Sequence, residues 1–185
     1  MIKDKQELTR NITANSVLAA LYVVFTLITM PISYSYMQFR LSEFLVLLVF
    51  FNPRYMVGLT LGCLLANLFS TVGPLDILMG TGATLIACLL MIVLSRFVKL
   101  LFLNGLIPCL VNAAIVPAII YLSSVGTDAV MNLTVELYFI MFAWVFLGEF
   151  LAIMCVGYPF FMILKRRHPK FAGIVLATRN ADFKM

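Results

Sequence analysis

The sequence predicts an all-α membrane protein: a bundle of six transmembrane helices with both termini cytoplasmic. Three observations carry this reading. Hydrophobic residues make up 63% of the 185 and charged residues only 11%, more apolar side chain than a soluble domain of this size can cover with polar surface. Most of the apolar residues fall in runs near 20 residues, the length that crosses a hydrocarbon core of about 30 Å. The basic residues lie almost entirely on one side of the crossings those runs imply. The expectation is one integral membrane domain over 1–185, with no appended soluble domain.

The first span covers roughly 12–30 and is expected to stop at Pro31, which cannot donate to a helical ladder. A shorter apolar segment follows at roughly 41–51, ended by "NPRY". About 11 residues at 1.5 Å each reach only half-way across a bilayer. It is therefore either a half-helix or a helix whose start extends back into "SYSYMQFR". Spans three to six fall at roughly 54–69, 75–95, 104–123 and 135–164. Pro117 marks a kink inside the fifth, and Pro108 lies near its start.

Six crossings put both termini on one side. On that side fall Lys3, Lys5, Arg10, Arg54, Arg96, Lys99, Lys165, Arg166, Arg167, Lys170, Arg179 and Lys184. Of the 13 lysines and arginines, Arg40 alone falls opposite. That asymmetry is the positive-inside pattern and makes the termini cytoplasmic. The net charge of +5 thus reports topology, and no nucleic-acid partner is needed to explain it. The first apolar run is too long for a cleaved signal peptide and lacks a small-residue cleavage site. Cys63, Cys88, Cys109 and Cys155 stand singly within spans, without metal-ligand spacing, and read as small buried hydrophobes. "NLT" at 132–134 fits a glycosylation acceptor on the outer side.

The polar residues inside apolar runs are the informative ones. Arg40 and Glu43 open the short segment in "RLSEFL"; Asn67 ends the third span and Asp76 starts the fourth. Asn112 and Glu149 lie deeper, and Glu136 opens the sixth span. An ionised carboxylate at mid-bilayer costs at least about 2.5–3.5 kcal/mol, so it normally faces a partner or a polar cavity. Plainer readings stand beside that one. Asp76 suits a helix cap, Arg40 and Glu43 an ion pair one turn apart, Asn67 and Asn112 interhelical hydrogen bonds, and Glu136 a solvated helix start. Glu149 has no basic neighbour in sequence. Glu43 and Glu149 are each followed ten positions later by a proline, Pro53 and Pro159, in an echo of "SEFL" and "GEFL".

Tyr34, Tyr36 and Phe39 precede Arg40 and read as an interfacial belt or as faces for stacking a flat ring. Carboxylates, amides and aromatic faces together suit a small planar heterocycle rich in N–H donors or carrying a cation. A phosphate or carboxylate ligand would call for more cations than Arg40. Small residues mark helix contacts: Gly58, Gly62 and Ala66 on the third span, Ala83 and Ala87 on the fourth, and Ser16 and Ala20, flanked by Ala19, on the first.

No GxxxxGK[ST], HExxH or GxSxG occurs, so the chain hydrolyses no ATP by the P-loop route and shows no hydrolase motif. The single histidine, His168, sits in the basic stretch "KRRHPK". What remains is a binder with an external pocket and no cofactor. A small intramembrane enzyme using Glu149 and Asp76 as an acid–base pair is the alternative from another class.

"FRLSEFLVLLVFF.P", "GCLLANLFSTVGPLDILMGTGATLIA", "LAALYVVFTL", "VNAAIV" and "LGEFLAIMCVGYPF" cover most of the chain. Together they resemble the QueT family of substrate-capture (S) components of energy-coupling factor importers, assigned to queuosine precursors. The resemblance implies a six-helix subunit of a bacterial plasma membrane that takes a 7-deazaguanine from outside. It implies docking onto a transmembrane coupling subunit driven by two cytoplasmic ATPase subunits, which alone use ATP. Family S components dock through an AxxxA-type face on the first helix, matched imperfectly here by Ser16 and Ala20. The pocket carried over is Arg40, Glu43, Asn67, Asp76, Asn112 and Glu149. Pyridoxine or a hydroxymethylpyrimidine would suit the same acidic and aromatic surroundings.

Overall fold

The computed structural model describes residues 2–33, 38–70, 73–124 and 134–167, and among them every regular element is helical. Tyr34, Tyr36, Asn132 of "NLT", His168 and the basic residues beyond it lie outside the described residues.

Helix α1, Ile2–Ile28, begins about ten residues before the expected apolar span. Its first turns are rich in Lys, Gln, Glu and Arg, all good helix formers, and Glu7 there forms an ion pair with Arg54. The helix does not run to Pro31. The missing N–H of Pro31 removes a rung to Leu27, and the ladder opens two residues earlier at Thr29, whose hydroxyl donates back to the Phe25 carbonyl at 2.9 Å. A single turn, α2 (Met30–Ser33), then continues with Pro31 in its first turn, where a donor is not required.

The short segment is a half-helix. It starts at Leu41 as a 3₁₀ helix, Leu41–Leu47, and passes into α3, Leu48–Phe51, while residues 38–40 are not helical. Val46, Leu47, Val49, Phe50 and Phe51 have no exposed surface. A segment apolar on every side must be enclosed, and this one forms the centre of the molecule, packed against Tyr22, Cys63, Met91, Leu101, Ile153 and Phe161. Asn52 ends it, its side chain accepting from the Arg54 N–H to start the turn Pro53–Tyr55.

Helix α4, Met56–Asn67, has 12 residues, about 18 Å, and is shorter than the expected third span. A π-helical turn, Asp76–Gly80, leads into α5, Thr81–Leu94. Helix α6, Leu101–Ser124, contains both Pro108 and Pro117 and runs on through them. Helix α7, Val135–Phe150, continues through a π-helical stretch, Leu151–Gly157, into α8, Tyr158–Arg167. Pro159 leaves the Cys155 carbonyl without its usual N–H, and the wider π turns just before it accommodate that loss. The Glu–Pro echo therefore has no structural counterpart: Pro53 follows the end of a half-helix, whereas Pro159 lies within a continuing one.

Four helices among the described residues are long and apolar enough to cross a bilayer: Lys5–Ile28, Asp76–Leu94, Leu101–Ser123 and Val135–Arg167. Two of the six expected spans, the half-helix and α4, fall short of that length. The outward faces are apolar, with Leu89, Leu90, Leu110, Trp144 and Leu147 all exposed, as a multi-pass membrane protein requires. Cys155 also lies on that outer surface, unlike Cys63, Cys88 and Cys109, which are buried as expected.

The small-residue faces set the closest contact. Gly58, Gly62 and Ala66 are buried; Gly58 meets Asn15 of α1, and a Cβ at Gly62 would lie 2.7 Å from Tyr22 Cβ and 3.0 Å from Ala19 Cα. Ala19 is thus turned into the bundle, while Ser16 and Ala20 stay exposed.

Candidate functional site

Six polar residues singled out in the sequence, Arg40, Glu43, Asn67, Asp76, Asn112 and Glu149, are all buried, none more than 5% exposed. The fold gathers them from five elements into three hydrogen-bonded groups.

The first joins the ends of three elements. Arg40 precedes the half-helix, and its guanidinium donates to Asn67 Oδ1 at 3.0 Å and to Asp76 Oδ2 at 3.4 Å. Ser70 donates to the same Asp76 oxygen at 2.6 Å. The Asn67 amide reaches the Asp76 carbonyl at 3.1 Å. Asp76 therefore faces inward, its carboxylate bonded to Arg40 and Ser70. Gly80 provides the room, since a Cβ there would fall 2.6 Å from Asp76 Oδ1 and 3.0 Å from Asn67 Nδ2. Asn67 serves as the interhelical bond it was expected to be and as the hinge of this group. Cys63 and Thr84, 3.2 Å apart, sit beneath it.

The second group crosses from α1 to the half-helix. Tyr22 donates its hydroxyl proton to Glu43 Oε1. One turn on, Thr26 donates to the Tyr22 carbonyl at 2.9 Å, so the 2.7 Å contact between Thr26 and Ser42 is a bond donated by Ser42. Arg40 and Glu43, one turn apart in sequence, thus reach toward different elements, Asp76 and Tyr22 respectively.

The third group lies between α6 and α7, where Asn112 donates to Glu149 Oε1 at 2.9 Å. Phe142, Phe146 and Phe150 run along α7 at i, i+4, i+8 with near-parallel neighbouring rings, 6.4 and 6.0 Å between centroids. Phe146 packs on both the main core and the smaller cluster of Ala113, Val116 and Val145. Glu149 is the last but one residue before the π-helical stretch.

Two buried oxygens in these groups have no hydrogen-bond partner among the described residues: Glu43 Oε2 and Glu149 Oε2. Buried carboxylate oxygens are ordinarily satisfied. Each of these carboxylates is held at one oxygen by a neutral donor, and its second oxygen can accept a bond from elsewhere. Gln38 Oε1 is a third such atom, on a residue with φ of 50° two places before Arg40. A left-handed conformation costs a non-glycine residue roughly 1–2 kcal/mol and often marks a functional segment. Glu136 lies exposed in the first turn of α7, the solvated start expected of it.

Tyr22, Gln38 and Ser70 were not among the expected site residues. Tyr22 had a signal: Asn15, Tyr22, Thr26, Thr29 and Ser33 follow the 3–4 spacing of one helix face, the face that bonds Gly58, Glu43 and Ser42. Gln38 had none, because its backbone angle is not written in the sequence. The proposed acid–base pair does not form, as Asp76 and Glu149 belong to separate groups, each with its own donors.

Among the described residues no cluster of His, Cys, Asp or Glu could hold a metal ion. No solved structure matches the chain. A curated relative from Lactococcus lactis subsp. cremoris (strain MG1363), named queuosine precursor transporter QueT, is 36% identical over 104 residues. That alignment spans 55% of this chain and 61% of the relative's length. The family model described as QueT transporter matches residues 12–166. The chain belongs to the QueT transporter family, a family of transporters and not of enzymes.

Proposed function

We propose that the protein is the substrate-binding S component of an energy-coupling-factor importer and captures a 7-deazaguanine queuosine precursor from outside the cell. Its chain crosses the plasma membrane six times with both termini cytoplasmic, the half-helix and α4 completing the crossings inside the bundle. ATP is used by two partner ATPases, and transport follows from reorientation against a transmembrane coupling subunit that meets α1 at Ser16 and Ala20.

The observation that carries the reading is the pair of buried acceptors, Glu43 Oε2 and Glu149 Oε2. A 7-deazaguanine presents N1–H and an exocyclic amine side by side, donors that one carboxylate accepts together. A 7-aminomethyl group adds a cation for the second carboxylate. Arg40 is matched to Asp76, so Glu43 and Glu149 are left as the acids that a cationic ligand neutralises. The relative's name supports the ligand class, and the acid-rich site agrees with it. Pyridoxine and hydroxymethylpyrimidine offer fewer adjacent N–H donors to two acids.

The test is binding of 7-aminomethyl-7-deazaguanine to the purified chain by calorimetry, with pyridoxine and hydroxymethylpyrimidine as competitors. Tight one-to-one binding is expected, lowered at least tenfold in Glu43→Gln and in Glu149→Gln, with the ligand recovered unchanged. Normal binding by both variants refutes the acid site. Preference for a competitor refutes the ligand class alone.

A further inference from the structure

On one side of the bundle, α1, the 3₁₀ segment and α8 enclose a groove of about 470 Å³ with almost wholly apolar walls. Ala14, Val17, Leu21 and Phe25 line it from α1, and Phe160 and Leu164 from α8. Val17, Leu21 and Phe160 are exposed at its open edge. Phe25 and Phe160 lie at one end, bridged by Phe44 with ring centroids 5.6 and 5.5 Å away. From Phe25 back to Ala14 is 11 residues, about 16 Å, close to one leaflet of a hydrocarbon core of about 30 Å.

The other end is basic. Arg10 stands one turn before Ala14 and Arg167 one turn after Leu164, both exposed, while Glu7, one turn before Arg10, is paired with Arg54. We propose that this groove binds one acyl chain of an anionic phospholipid, with the phosphate between Arg10 and Arg167. Charge and length both match such a lipid: an apolar slot one leaflet deep that ends in two guanidiniums. A single extended acyl chain runs the length of the slot, and a partner helix laid on this open face is one of the outcomes the test separates. At 100° per residue the groove lies roughly 130° around α1 from Ser16 and Ala20, so the lipid leaves the proposed docking stripe clear.

The test is native mass spectrometry of the full chain in micelles doped with equal amounts of phosphatidylglycerol and phosphatidylcholine of identical acyl chains. The wild type is expected to retain phosphatidylglycerol preferentially. Arg10→Gln with Arg167→Gln should weaken its retention about 30-fold, toward the level of phosphatidylcholine. Val17→Trp with Leu21→Trp, which fills the slot, should lose both lipids. Melting temperature reports whether each variant folds; if the double tryptophan variant does not, Leu21→Phe, a smaller filling, replaces it. Equal retention of the two lipids by the wild type overturns the proposal. So does a filled groove that keeps phosphatidylglycerol, including the case in which it loses only a protein partner.

Discussion

The Tyr22 hydroxyl on α1 holds Glu43 of the half-helix by one carboxylate oxygen, Oε1, and leaves Oε2 buried without a partner among the described residues. The bond fixes the orientation of an acid that has no other hydrogen-bond donor among the described residues, and it ties the first helix to the centre of the bundle. Tyr22→Phe keeps the ring and removes the donor. It should lower thermal stability modestly, by about 1–3 kcal/mol for an acceptor left unsatisfied. It should also weaken ligand binding at least tenfold, because the carboxylate is free to turn. Calorimetry beside a melting curve separates the two effects, and unchanged affinity would show that Glu43 is oriented by something else.

Arg40 and Asp76 form a buried ion pair whose loss is asymmetric. Removing one partner leaves a charge in a dry interior and costs about 3–5 kcal/mol, whereas replacing both by apolar residues is often nearly neutral. Arg40→Met should therefore destabilise more than the double variant Arg40→Met with Asp76→Leu. Chemical unfolding in detergent measures both. If the double variant is as unstable as the sum of the single ones, the two groups are not coupled.

Close approach of α4 to α1 predicts opposite results at two glycines. A Cβ at Gly58 would sit 2.7 Å from Asn15 Cα, and it would crowd the 2.6 Å bond that the Gly58 N–H donates to Asn15 Oδ1. Gly58→Ala should cost about 1–3 kcal/mol through overpacking. At Gly82, inside α5, an added Cβ meets nothing within 4 Å. Gly82→Ala should stabilise by about 0.5–1 kcal/mol through helix propensity. Equal melting shifts at the two positions would contradict this account of the α1–α4 contact.

That the polar residues of the site would turn inward was legible in sequence, because a lone carboxylate or amide in an apolar run has few stable places to go. Their grouping was not. Asp76 is 36 residues from Arg40, and Asn112 is 37 from Glu149, so which donor meets which acid depends on helix packing. Helical class and segment positions followed from hydropathy, and the short segment at 41–51 announced itself by length. Helix ends were less legible. Pro31 acts two residues before its own position, and the start of α1 depends on propensity in residues too polar for an apolar search. The small residues of the first helix pointed to a contact without saying with which neighbour: Ala19 turns to Gly62, Ser16 and Ala20 outward.

That division of the α1 face gives the last prediction. Ala19 is 8% exposed, with its backbone at the Gly62 contact, so Ala19→Leu has no space and should destabilise the isolated protein by about 1–3 kcal/mol. Ala20 lies exposed one residue further round the helix. If the proposed coupling subunit packs on this stripe, Ala20→Leu should leave the melting temperature and ligand binding unchanged while abolishing co-purification with it, because close helix approach needs a small residue. Co-expression of each variant with the coupling subunit and ATPases, followed by affinity purification, distinguishes the two. Retention of the complex by Ala20→Leu would move the docking surface off this stripe of α1, and loss of ligand binding together with the complex would mean that Ala20 supports the fold instead.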